Sequence, residues 1–254
     1  MMSITNLAGL GFILLFFLLM LSFFFLGRKK RPAPLRPIDA FQRLREAIGI
    51  AVEDGTRLHV SVGRGTVDGV ESASAFAGLH VLARIMRIVS ICDRHPVAST
   101  GDGALSILAR DTLKSAYADM GQRAQYHASA GRLTGITPFS FAAGSMPLIA
   151  DEDVSANVLI GHFGPEVALM VEAGERKGNL TLAGTDSLPG QAVLYAAAQE
   201  PLIGEEVFAG GAYLQSGGFS RASLQAQDVM RWLIIVLILG GAILQFLGLM
   251  PVFG

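Results

Sequence analysis

Four short turns hold the side chains of this chain best suited to chemistry. They are Gly63, Arg64 and Gly65; Ser99, Thr100, Gly101, Asp102 and Gly103; Gly161, His162, Phe163 and Gly164; and Gly184, Thr185, Asp186 and Ser187. Each follows a short apolar run of strand type and precedes a helical pattern. In an open parallel sheet, ligands sit beyond the carboxyl ends of the strands, so such turns converge on one edge. The candidate ligand-binding set is therefore Arg64, Thr100, Asp102, His162, Thr185 and Asp186, with main-chain amides at helix starts able to receive an anion. A purely structural reading stands beside it: glycine makes tight bends, and Ser, Thr and Asp cap helices whatever the function.

No complete catalytic motif backs the set. A Walker loop needs Lys followed by Ser or Thr after its last glycine, and the dinucleotide pattern starting at Gly101 fails at its third glycine, where Ser106 stands. Gly101, Asp102 and Gly103 match the start of a thiamine-diphosphate motif without the asparagines expected downstream. No Gly-x-Ser-x-Gly elbow is present. His59, His80, His95, His127 and His162 include no pair at the i, i+4 spacing that grips zinc on a helix. Asp151, Glu152 and Asp153 read as a solvated acidic loop, and no metal or cofactor is expected. Cys92, the single cysteine, excludes an internal disulfide and suits a reducing compartment. A net charge of −1 supplies no basic field for nucleic acid.

The elements that must hold these turns alternate. The pattern predicts strands over Leu58–Val62, Pro96–Ser99, Asn157–Gly161 and Leu180–Ala183. It predicts helices from Asp39 to near Gly55, over Glu71–Cys92, over Gly103–Met120, over Pro165–Ala173 and over Gly190–Gln199. In the long helix Phe76, Leu79, Met86 and Val89 mark an apolar face, and His80, Arg84 and Arg87 a wet stripe. Leu133–Ala150, broken by Pro138, Gly144 and Pro147, reads as irregular with one short strand. Gly204–Gly218 is glycine-rich. The expected fold class is α/β, a largely parallel, Rossmann-like sheet with helices on both faces, flanked by two terminal transmembrane helices. Strand order stays open.

Leu7–Leu26 is an unbroken apolar run, long enough to cross the roughly 30 Å hydrocarbon layer. Arg28, Lys29, Lys30 and Arg31 follow it, and no charged side chain precedes it. A cleaved signal peptide would need the opposite charge order and a small-residue exit. Trp232–Met250 is a second such run, preceded by Arg221 and Arg231. The positive-inside rule then places both termini outside and the middle in the cytoplasm of a bacterial inner membrane. The expected division is a membrane helix over 1–27, a basic Pro-rich linker with Pro32, Pro34 and Pro37 over 28–38, the domain over 39–229, a second membrane helix over 230–250 and a tail over 251–254. Gly241, Gln245 and Gly248 share one face of the second helix and are candidate helix-packing residues, toward the first helix or another copy. Ordinary glycine content of membrane helices is the alternative.

Glu53–Gly63, Ser99–Leu108, Ser155–Gly164 and Leu182–Ile203 resemble a family of bacterial membrane proteins found in Chloroflexota, built on a domain of unknown function. The resemblance implies the same arrangement of terminal apolar segments and brings no catalytic residue with it. The expected role is a membrane-anchored scaffold that forms a ring- or array-like homo-oligomer, with the bilayer and copies of itself as partners. The alternatives are a tethered domain that binds or converts a nucleotide or other anion, and an accessory subunit of a larger membrane complex.

Overall fold

A computed structural model describes residues 4–29, 36–89, 94–214 and 218–247. The chain forms two compact units, residues 37–215 and residues 1–36 with 216–254. Cys92, Pro32, Pro34, Gly248 and the end of the second apolar run lie outside the described residues.

The larger unit begins with α2, Asp39–Asp54, which buries Phe41, Leu44 and Ile48 at helical spacing and stops at Gly55 in the left-handed conformation. Strands β1 (Arg57–Gly63), β2 (Val97–Thr100), β3 (Gly131–Leu133), β4 (Val154–His162), β5 (Leu180–Thr185) and β6 (Glu200–Leu202) then build one sheet. Its order is β3-β2-β1-β4-β5-β6, with every neighbouring pair parallel. This is the doubly wound α/β order of the Rossmann type, in which the winding reverses between β1 and β4. The central strands are buried on both faces, β1 and β4 along almost their whole length, including the polar His59, Ser61 and Asn157.

One helical layer contains α2, α3 (Ser72–Ile88), α4 (Gly103–Asp119) and the short α8 (Gly210–Tyr213). Phe41 of α2 stacks on Tyr213 at 5.0 Å between ring centroids. Leu79, Met86 and Val89 are buried as their spacing implies, whereas Phe76 stands exposed; the buried stripe of α3 runs instead through Ala75, Gly78, Leu82 and Ile85. The other layer is α5 (Pro138–Asp151), α6 (Val167–Arg176) and α7 (Leu188–Ala197), packed side by side. Phe141, Leu159, Phe163, Met170, Ala183 and Leu194 form its core with the sheet.

The stretch expected to be irregular is α5. Pro138 sits in the first turn, where its missing N–H is not needed, and Thr137 caps the helix from just outside. Pro147 lies on the solvent side, so the carbonyl it leaves unbonded, that of exposed Ala143, can turn to water. The sequence pattern also missed β3 and β6, each only three residues long. The glycine-rich segment after β6 coils into a 3₁₀ turn and α8.

In the smaller unit α1 (Ile4–Lys29) and α9 (Gly218–Phe246) pair through Met20, Ala222 and Ala226, with Phe24 edge-on to Phe219 at 5.2 Å. Asn6–Gly27 and Gly218–Phe246 are long and apolar enough to cross a membrane, with mean hydropathy 2.7 and 2.1. α9 begins at Gly218, so the stretch before Trp232 is already helical. A Cβ at Gly241 would meet nothing within 4 Å and Gln245 is exposed, so neither takes part in the contact with α1.

Candidate functional site

The winding reverses between β1 and β4, so the carboxyl ends of these two strands form the crevice where this topology places ligands. Arg64 leaves β1 there and His162 ends β4. Asp186, just past β5, accepts hydrogen bonds from His162 Nδ1 at 2.7 Å and from the Ser74 hydroxyl at 2.8 Å. The opposite ring nitrogen, Nε2, is 3.4 Å from Glu71 Oε1. Arg64 Nε donates to Glu166 Oε1 at 3.1 Å, and the same oxygen accepts the Gly164 N–H at 3.0 Å. Parallel winding thus brings Arg64, His162 and Asp186 to one edge, as their turns implied.

The other three candidates are occupied elsewhere. Thr100 is buried and its hydroxyl donates to the Arg132 carbonyl at 3.3 Å, tying β2 to β3. Asp102 caps α4, accepting the Leu105 N–H at 2.8 Å. Thr185 is buried, and its hydroxyl oxygen accepts the Phe163 N–H at 2.9 Å and the Ser187 N–H at 3.3 Å. Glu71, Ser74 and Glu166 complete the cluster and were not singled out by sequence. Glu166 follows Gly164 and Pro165 inside the turn, but a glutamate at a helix start is too common to mark a partner for an arginine in a distant turn.

Main-chain bonds close β1 onto both of its neighbours at these ends. Arg64 N–H donates to the His162 carbonyl at 2.9 Å, and Gly101 N–H to the Gly63 carbonyl at 2.9 Å. The glycines serve that closure: a Cβ at Gly63 would stand 2.5 Å from the His162 carbonyl oxygen, and one at Gly101 would stand 2.6 Å from Cγ of Arg64. The close approach that glycine permits here is to the chain's own atoms. A carboxylate, Glu71, also stands just before α3, where a dinucleotide fold would receive its pyrophosphate. Such a charge repels an anion at that position.

A second polar group lies deeper. His59, Ser61, Ser99 and Asn157 are all fully buried on adjacent central strands. The Asn157 amide nitrogen donates to the Met170 carbonyl at 3.5 Å, which turns its Oδ1 toward His59 Nδ1 at 2.6 Å. His59 Nδ1 donates to that oxygen, and Nε2 lies 2.8 Å from the Ser99 hydroxyl oxygen. Ser61 stands 2.9 Å from the Ser99 oxygen. Burial holds His59 well below its ordinary value of 6.5, at about 4, with the Asn157 bond opposing the shift. The imidazole is neutral at physiological pH, and this row works as an internal strut with no path to a ligand. Among the described residues, no group of three or more His, Cys, Asp or Glu is arranged to hold a metal ion.

A family described as Domain of unknown function (DUF6754) matches residues 1–252. The chain belongs to this family. No curated protein and no solved structure matches it. Because the DUF6754 match runs through both units, the family takes in the terminal apolar helices together with the α/β unit. The resemblance to a domain of unknown function is thereby established, and the two terminal helices suit a membrane protein.

Proposed function

We propose that this DUF6754 protein is a membrane-anchored scaffold whose α/β units associate with copies of themselves into a ring- or array-like assembly. One observation carries the reading: the charged groups at the rim of the crevice that this topology offers to ligands are engaged with one another, Arg64 with Glu166 and His162 with Asp186. A domain kept for its outer surface rather than its crevice fits that arrangement. The open Gly241 and Gln245 positions of α9 suit helix packing between copies. The test is the particle mass of the full chain after mild detergent extraction, read by mass photometry. Discrete multiples of the chain mass are expected, and a monomer at nanomolar to micromolar concentration would refute the scaffold.

The same reading places the protein in a bacterial inner membrane with both termini outside and the α/β unit in the cytoplasm. The run Arg28 to Arg31 after the first apolar helix, and Arg221 and Arg231 before the second apolar run, support this orientation. In a Cys92→Ser background, the exposed Lys114→Cys is expected to resist a membrane-impermeant maleimide in intact cells and to react after permeabilisation. Labelling of intact cells would reverse the orientation.

A further inference from the structure

We infer that the layer α5–α6–α7 is the surface through which two copies of the chain pair, the α7 ridge of each seated in the α5/α6 groove of the other. The inference rests on the scaffold reading and names one of its interfaces, the pairing contact from which a larger assembly would be built through a second surface.

The two helical layers differ in charge. The layer with α2, α3 and α4 carries charged residues along each of these helices; in the other layer α6 exposes Glu172, Glu175 and Arg176, whereas α7 (LPGQAVLYAA) has no charge and α5 has only Asp151 at its last position. On α7 the outward positions are Leu188, Ala192, Tyr195 and Ala196, at i, i+4, i+7 and i+8. Leu188 is 78% exposed and Tyr195 76%. A monomer has no reason to keep this uncharged ridge in water. On the opposite flank of the layer, Ala143, Met146, Pro147, Ala150 and Ala173 line an open groove between α5 and α6 of about 410 Å³. Arg176 and Lys177 stand at one end of it, with Asp151.

A ridge on one flank and a groove on the other make the layer complementary to itself. A two-fold axis along the helices lays each ridge in the partner's groove, which is the isologous contact of most dimers. All three helices return antiparallel to parallel strands, so they share one direction, and in this arrangement the copies' helices run parallel too. The C-terminal end of α7 then meets the groove end that holds Arg176 and Lys177. That end of α7 carries partial negative charge on its last carbonyls and has no basic residue of its own in the last turn. The partner's Lys177 supplies the missing cation. In the seam, Glu172 of α6 is paired with Arg176 of its own chain at 2.6 Å. Three helices of 10 to 14 residues, spaced ~10 Å apart, present roughly 500 Å² per copy. That is below the ~800 Å² per partner of a stable soluble complex. Confinement of both copies to one bilayer raises their effective concentration and favours the pair.

The test uses the full chain in detergent and in nanodiscs. Leu188→Glu with Tyr195→Glu alters exposed side chains only, so circular dichroism is expected to match wild type while the particle mass falls by half. In a Cys92→Ser background, Tyr195→Cys with Met146→Cys is expected to give an oxidative dimer, and Tyr195→Cys alone none. If wild type assembles and the double glutamate variant assembles equally well, this interface is overturned and the scaffold reading stands. A monomeric wild type overturns both, and a wild-type monomer that binds vesicles through Tyr195 assigns the face to lipid instead.

Discussion

Gly63→Ala is expected to destabilise the α/β unit by roughly 3 kcal/mol or more, a far larger effect than a surface substitution gives. Two costs act at this one position. Gly63 has φ +77°, a conformation that costs an L residue about 1–2 kcal/mol. The added Cβ would also stand 2.5 Å from the carbonyl oxygen and 2.7 Å from the nitrogen of His162, main-chain atoms of the neighbouring strand with no rotamer to escape into. Relief requires β1 and β4 to part at their carboxyl ends, which lengthens the Arg64 to His162 bond. Gly178→Ala separates the two terms, because Gly178 has φ +72° and open space around it. It should lose only the conformational part, about 1 kcal/mol. Thermal melts of the full chain in detergent, followed by circular dichroism, are expected to drop by about 10 °C for Gly63→Ala and a few degrees for Gly178→Ala, at ~2–4 °C per kcal/mol. Equal melting temperatures for Gly63→Ala and wild type would show that the close approach of β1 and β4 at Gly63 is not needed to hold these strands.

The same closure separates what the residues disclose from what they hide. β1, β4 and β5 announce themselves because strands buried on both faces carry apolar residues on both sides and almost no charge, and the glycine turns behind them mark one edge once the strands are known to be parallel. Nothing local encodes strand order, since the pairing of β1 with both β2 and β4 depends on helix packing across the whole unit. β3 and β6 are three-residue edge strands, too short for periodicity to register, and Pro201 in β6 disguises a strand whose edge position tolerates it. Pro138, Gly144 and Pro147 disguised α5, although each has a place there: the first turn, a close pass over the Thr134 carbonyl, and the solvent side. At the candidate site, Arg64, His162 and Asp186 were legible from their turns. Their partners Glu166, Glu71 and Ser74 were not, because a salt bridge between residues about a hundred positions apart leaves no spacing to read. Thr100, Asp102 and Thr185 looked like ligand groups for the reason that capping and turn closure use the same side chains.

His59 gives the second large effect, and its sign follows from where the proton is held. In the unfolded chain its imidazole titrates at the ordinary 6.5, while in the folded sheet burial lowers it to about 4. Between these values the unfolded state binds the extra proton and the folded state does not, so acid favours unfolding. The stability that His59 permits is complete above pH 6.5 and declines as pH falls toward 4, by about 3 kcal/mol over the window. The strut explains why the folded state resists the proton. The imidazole is fully buried between the central strands, and a charged ring there would give up its hydration. Carboxylates elsewhere also titrate in acid, so the informative quantity is the difference between wild type and His59→Leu. The variant is expected to be less stable at pH 7, because it leaves Asn157 Oδ1 and the Ser99 hydroxyl buried without their partner. Its deficit should shrink by about 3 kcal/mol as pH falls from 7 to 4, since it has no imidazole to protonate. Urea titrations of the full chain in detergent at several pH values across that range measure the gap directly. A gap that stays constant would mean that His59 keeps an ordinary affinity for protons in the folded sheet, and with it that water reaches the strut.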